Sequence, residues 1–368
     1  MKISIFSNIP SPYRIEFFNL LGKKVDLKVV FEAEIAPKIN TKWYSANIFS
    51  DFDSVFLKKG VIDEKKINWK ILKYVNHKDS DLLIFTNYSY YTEMIGLIYA
   101  KIKGIKYCLM IDGGFISYDE SFFKRILKKF LISGAILYMS PSKETDNFLE
   151  FYGAKKEGIK RYPFTSLKDA DILNKPISKY EKRKLKNQNA IYEDKVILSI
   201  GQFIYRKGFD WMIETYKKLP SNIGVYIVGG EPTKEYLNLK KKYKMNNLHF
   251  IAFQNKEQII NWYRLADLFV LPTREDIWGL VINEAMSQGL PVITTDKCMA
   301  GLELIEDYKN GFIVDLLDYE KLYNKSIYLL NCDNYNISIN NISKIKSYSL
   351  EKMSEAIYNI IEDYYDIL

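Results

Sequence analysis

The sequence predicts an α/β protein made of two Rossmann-like, doubly wound domains that face each other across a cleft. Three observations lead there. Short apolar runs alternate with longer amphipathic segments along the chain. A polar, Lys-rich stretch at 168–195 interrupts that rhythm once. And 368 residues suffice for two ordinary cores. Strand, helix, strand in repetition gives parallel sheets covered on both faces, because each crossover must travel back over the sheet.

In the first run the expected strands are Lys2–Phe6, Asp26–Phe31, Leu82–Phe85, Lys106–Ile111 and Ala135–Met139. The second run gives Val196–Ile200, Gly224–Val228, His249–Phe253, Leu268–Leu271 and Pro291–Thr294. The stretch 168–195 reads as a linker plus a helix entering the second domain. Leu350–Leu368 is amphipathic, with Met353, Ile357, Ile360, Ile361 and Tyr364, and reads as a helix packing back on the first domain. The expected division is 1–166, 167–349 and 350–368. Ligands of such sheets sit at the carboxyl ends of the strands.

Composition narrows the function. With 48% hydrophobic and 27% charged residues the chain is of the globular class. Its 53 Lys and Arg against 45 Asp and Glu leave +8, which is small for a nucleic-acid binder and suits a phosphate-rich ligand or an anionic membrane surface. Cys108, Cys298 and Cys332 are too far apart for a zinc site or a disulfide framework, which points to a reducing compartment. The opening apolar run is too short for a signal peptide, and no stretch approaches the roughly 20 apolar residues of a membrane span. A cytoplasmic location is expected, with attachment to the inner face of the membrane at most.

The most informative segment runs from Val270 to Thr294. It reads as a strand, an acid-rich loop with Glu275 and Asp276, a helix from Trp278 or Gly279, and a strand after Gly289. Acids just before a helix can accept hydrogen bonds from sugar hydroxyls, and the N–H groups of the first turn suit sugar oxygens or phosphate. Glu284, further along the helix, can reach another part of an extended ligand. An N-cap on an ordinary amphipathic helix is the plain alternative. A second loop, after the strand ending near Gly201, carries Gln202, Arg206 and Lys207, and a helix follows Gly208. Adjacent cations there can neutralise a diphosphate, or form a solvated basic turn. Gly229 and Gly230 follow a strand and would let a nucleotide approach backbone closely.

These strings resemble glycosyltransferase family 4, a retaining family with the GT-B fold, whose motif is Glu, seven residues, then Glu-Ala. Counting back from Glu284 lands on Asp276, so a shorter acid stands where the family has Glu, and Glu275 remains a candidate. The resemblance implies that Asp276 and the Trp278, Gly279 and Leu280 backbone hold the donor hexose, and Glu284 the ribose. It likewise implies that Lys207 stabilises the leaving diphosphate, with Arg206 supplying the charge lost where Gln202 replaces the family's Arg, while Gly201, Gly229, Gly230 and Phe253 flank the nucleotide. The pieces cover nearly all of 195–314, closing with Ala300–Ile305 and Asn310–Val314.

In the first domain, Ser7-Asn-Ile-Pro-Ser-Pro-Tyr-Arg has no glycine, which argues against a dinucleotide-binding turn. It resembles the family branch with Pro-Ser-Pro-Tyr-Arg, placing Arg14 at the donor or acceptor end. Asp112, in Asp-Gly-Gly, stands nearest to where relatives carry a donor-contacting His, and can orient an acceptor hydroxyl or simply make a turn. Phe122–Ile132 is basic and amphipathic. Its Lys124, Arg125, Lys128 and Lys129 can meet an anionic membrane at about 1 kcal/mol each, or its apolar face packs on the sheet and the cations meet water; both hold if only the basic face touches lipid headgroups.

The acid pairs Asp51/Asp53, Asp79/Asp81 and Asp169/Asp171 lack a sugar-site context, so no metal or other cofactor is expected. The expected activity is retaining transfer of a hexose from a nucleotide diphosphate sugar, UDP preferred, to a glycan or lipid-linked glycan for bacterial surface polysaccharide. A nucleotide-sugar epimerase and a non-catalytic sugar-nucleotide binder are the alternatives, and nucleic acid is not an expected partner.

Overall fold

The computed structural model describes residues 1–37, 49–63 and 65–365. The chain divides into two compact units, Met1–Ser166 with Ser349–Leu368, and Leu167–Tyr348. The last three residues of the expected terminal helix lie outside the described residues.

The first unit runs β1 (Lys2–Ser7), α1 (Pro12–Gly22), β2 (Asp26–Phe31), β3 (Asp53–Phe56), β4 (Leu82–Phe85), α2 (Tyr91–Ile102), β5 (Cys108–Met110), α3 (Phe122–Ile132), β6 (Leu137–Ser140), α4 (Lys143–Phe151) and β7 (Ile159–Arg161). Its sheet has the order β3-β2-β1-β4-β5-β6-β7, with every recorded pairing parallel. The central strands β4 and β5 are buried along their whole length, as the unbroken apolar runs require. The edge strands β3 and β7 were not among the expected ones. Asp-Ser-Val-Phe and Ile-Lys-Arg are short and half-exposed or exposed, so neither shows an apolar run.

The second unit runs α5 (Lys179–Gln188), β8 (Lys195–Ile200), α6 (Phe209–Tyr216), β9 (Ile223–Val228), α7 (Lys234–Tyr243), β10 (Leu248–Ile251), α8 (Lys256–Leu265), β11 (Leu268–Leu271), α9 (Leu280–Ser287), β12 (Val292–Thr295), α10 (Met299–Leu304), β13 (Gly311–Val314), α11 (Tyr319–Asn331) and α12 (Tyr335–Ile345). Its parallel sheet has the order β10-β9-β8-β11-β12-β13, which turns back at β8 and β11, the switch point where ligands of doubly wound sheets bind. The Lys-rich stretch is built into this unit rather than strung before it. Lys182 and Lys186 of α5 reach Asp267 at 3.1 and 2.9 Å, and Leu173 N–H donates to the Ser287 carbonyl. The supposed strand His249–Phe253 ends at Ile251, which leaves Phe253 in the following loop.

The chain's last helix, α13 (Leu350–Tyr365), belongs to the first unit and packs on α1. Met353, Ile357 and Ile361 recur at helical spacing and are buried, contributing on the order of 5 kcal/mol at 1.5–3 per side chain. Lys24 pairs with Glu355 and lies 5.1 Å above the Tyr358 ring.

One helix departs from the expectation that its apolar face packs on the sheet. In α3 the apolar side chains Phe122, Phe123, Ile126, Leu127 and Phe130 are exposed, and only Leu131 and Ile132 at its end are buried. The apolar face therefore does not pack on the sheet, and two of the four cations do not meet water freely. Lys128 lies 2.6 Å from Glu120, and Arg125 covers the Phe151 ring at 5.4 Å. Among the described residues no helix is long and apolar enough to cross a membrane.

Candidate functional site

In the second unit the loops that follow β8 and β11 meet because Gly208 lets them. Its φ of +71° is left-handed, and a Cβ there would overlap the Pro272 carbonyl. That carbonyl accepts a 2.8 Å hydrogen bond from the Trp211 indole. Around the contact, Arg274 N–H donates to the Arg206 carbonyl at 2.7 Å, and the Arg274 guanidinium grips Asp210 with two bonds of 2.7 and 2.6 Å. Thr273, buried, donates its hydroxyl to the same Arg206 carbonyl at 3.0 Å. The loop bearing Arg206 and Lys207 is thus fixed to the loop bearing Glu275 and Asp276.

The side chains then converge. Lys207 Nζ lies 2.6 Å from Asp276 Oδ2, and Arg206 NH1 lies 3.4 Å from Asp276 Oδ1. Lys207 runs along Gly201, where any Cβ would touch its stem. Asp276 is buried, whereas the Glu275 side chain is exposed and only its carbonyl takes part, accepting 2.6 Å from Arg206. The geometry therefore favours Asp276 over Glu275 as the acid facing the cations. Gln202 is exposed beside them. Gly229 sits against the Gly201 carbonyl, so β8 and β9 end side by side with no room for a side chain, and Gly230 has φ of +124°.

The expected helix starts one residue later than its latest sequence estimate. Leu280 is its first residue, and Gly279, with φ of +99°, is the cap. Trp278 is buried, its indole donating 2.8 Å to Asn283 of the first turn and its carbonyl accepting from Ala300 N–H. Cys298 packs beneath Gly279, and burial pushes its thiol up to about 12, which makes it an inert filler. Glu284, half-buried on the same helix, accepts 2.9 Å from the Tyr263 hydroxyl of α8. Burial, reinforced by Glu284, holds the Tyr263 phenol well above its ordinary pKa. Tyr263 and Asp210 escaped the sequence reading because they reach the site from α8 and α6. Thr273 and Arg274 escaped it, although in the acid-rich loop, because their partners lie in the loop after β8 and in α6.

In the first unit, Arg14 and Asp112 are brought together at 2.6 Å, Arg14 from the first turn of α1 and Asp112 from the loop after β5. Burial opposes the Arg14 charge, but Asp112 together with Tyr13 and Tyr162 outweighs it and holds the guanidinium pKa above its usual value. Neighbouring Glu93 is buried, and burial together with Glu32 raises its carboxyl well above the ordinary range. Glu32 accepts 2.5 Å from Thr92 and lines a cavity of about 440 Å³ with Trp69, Lys58 and Lys70. Two of the acid pairs set aside in the sequence have structural work, since Asp81 accepts from Lys2 N–H at 2.8 Å and Asp171 pairs with Lys256 at 2.6 Å.

Residues 181–346 match the family model described as glycosyl transferases, group 1. The match lies wholly within the second unit. Among curated relatives, an uncharacterized glycosyltransferase of Haemophilus influenzae is 29% identical over 46% of this chain and 50% of its own length. The lipopolysaccharide glucosyltransferase WaaG of Escherichia coli is 29% identical over 33% of this chain and 36% of its own. The chain thus spans about half or less of these relatives. The solved structure of Anabaena HepE in complex with UDP aligns with TM-score 0.77 at 16% identity, covering 99% of this chain and 100% of that one. The fold likeness therefore takes in both units, while the family-model match is confined to the second.

Proposed function

We propose that this protein is a retaining glycosyltransferase of family 4, taking a hexose from a UDP-sugar. The observation that carries the reading is the Lys207–Asp276–Arg206 cluster at the carboxyl edge of the second sheet, with Glu284 further along the helix that begins beside it. Without donor, Asp276 neutralises Lys207. An arriving diphosphate offers the two cations a better anion, which frees the Asp276 carboxylate to accept from hexose hydroxyls. The cations then stabilise charge as it grows on the leaving diphosphate, and the diphosphate takes the acceptor proton. Glu284 accepts from the ribose hydroxyls. Charge compensation by Lys207 and Arg206 makes the reaction metal-independent.

Support for UDP comes from HepE, whose structure holds it, and support for a surface glycan acceptor from WaaG, which acts in lipopolysaccharide synthesis by its name. The acceptor is a lipid-linked glycan met at the cytoplasmic face of the membrane. Arg14, Asp112 and the cavity bearing Trp69 and Glu32 offer the first unit's charge, aromatic surface and hydroxyl acceptors to it.

The test is thermal unfolding with UDP, GDP, TDP and their common sugars, with and without EDTA. A ligand at 100 times its Kd adds about 2.7 kcal/mol. Stabilisation by UDP-sugars that EDTA leaves intact supports the reading; a response confined to another nucleotide, or abolished by EDTA, overturns the donor or the metal-free assignment.

A further inference from the structure

Helix α3 is amphipathic in the opposite sense to a helix that covers a core. At about 100° per residue, Phe122, Ile126, Phe130, Phe123 and Leu127 form one continuous stripe, and all five are between 41 and 82% exposed. A surface helix normally turns that stripe inward. Here the opposite side faces the body: Leu131 and Ile132 are buried, Lys128 pairs with Glu120 and lies 5.0 Å over the Tyr152 ring, and Arg125 sits on Phe151. Glu120 also accepts from the Tyr152 hydroxyl. The charged side is thus held by the protein, and this fixes the apolar side outward. Exposed Lys124 and Lys129 fall on the two borders of the stripe, one on each, and Lys101 lies 4.4 Å over the Phe130 ring.

We propose that α3 is a membrane-docking helix that lies in the interface of an anionic bilayer, with its aromatic stripe among the acyl chains. Three properties select this occupant. The helix carries no acid, and its two exposed cations, Lys124 and Lys129, complement anionic headgroups. Lysines bordering an apolar stripe can lay their stems along it and keep the ammonium at headgroup level. Three of the five outward residues are Phe, and Tyr118, also exposed, stands just before the helix, matching the aromatic preference of that boundary. Eleven residues rise only about 16 Å, so the helix lies in the surface and does not span it. This goes beyond membrane proximity inferred from the acceptor: it names the face that docks, and it stands whether or not the transfer reading does.

The experiment is flotation of the full chain with phosphatidylcholine vesicles and with vesicles containing 30% phosphatidylglycerol, at two salt concentrations. Wild type should partition onto the anionic vesicles at least tenfold better than onto neutral ones. The double variants Phe122→Ser/Phe123→Ser and Lys124→Gln/Lys129→Gln should each lose about tenfold or more, while keeping the wild-type melting curve and any shift with UDP. In Phe123→Trp, the emission added over wild type should be quenched by lipids brominated in the acyl chain. Three outcomes overturn the proposal: no binding of wild type to either vesicle, equal binding of the aromatic variant, or a dimer in sedimentation that the aromatic variant abolishes. The last would assign the stripe to a second copy of this chain. Because the UDP shift is read on the same variants, failure of docking and failure of the donor site are told apart.

Discussion

The Lys207 ammonium and the Asp276 carboxylate are 2.6 Å apart, drawn from loops that follow two adjacent strands, β8 and β11. Sixty-nine residues separate them in sequence. Lys207→Ala should lower kcat/KM roughly 100-fold or more, the range for removing one preorganised stabiliser of transition-state charge, with the melting temperature little changed. Steady-state kinetics on a working donor and acceptor pair measures it. Unchanged turnover would remove Lys207 from the chemistry.

Glu284 should matter to nucleotide binding rather than to charge on the phosphate. Glu284→Ala should weaken UDP roughly 10- to 100-fold, from loss of a charged hydrogen-bond acceptor worth about 1.5–3 kcal/mol. Glu284→Gln should recover part of it, since the amide oxygen still accepts. Calorimetric titration with UDP and with 2′-deoxy-UDP separates the roles: the deoxy nucleotide should bind wild type and Glu284→Ala almost equally.

Glu93 makes stability depend on pH with a definite sign. Burial, then Glu32, raise its folded pKa, so the folded state holds a proton that the unfolded chain releases. Stability is full below the unfolded carboxyl value and falls as pH rises toward the folded one. Glu93→Gln should therefore be more stable than wild type at pH 8, with the advantage shrinking toward pH 4. Urea unfolding across that range reads the difference directly.

Gly208→Ala should be destabilising by about 1–3 kcal/mol, through a strained positive φ and the overlap with the Pro272 carbonyl. Part of the relaxation must separate the two loops. Activity should drop more than stability does, a split that denaturant midpoints and kinetics together reveal.

How much of this was legible in the sequence depends on where each residue's partners lie. Asp276 and Glu284 share a loop and the helix it enters, so the sequence and its family resemblance could pair them without any distant partner. Tyr263 reaches Glu284 from α8, and Asp210 reaches Arg274 from α6. Neither pairing leaves a local periodicity. The strands were visible where burial on both faces demands unbroken apolar runs, as in β4 and β11, and hidden at the polar edges. Amphipathic α3 was plainly a helix, but its pattern names two faces without saying which one meets the protein. Glu120, Phe151 and Tyr152 decided that by engaging the cations.

Because α13 seals α1 from the far end of the chain, the unit that leaves the ribosome first is the one completed last. Residues 1–166 emerge with the buried side of α1 lacking its partner, and Met353, Ile357 and Ile361 appear only after the whole second unit has been synthesised. During that interval the second unit, contiguous in sequence, can already be folded. The nascent first unit waits with an open apolar seam, and a chaperone that binds early would find it there.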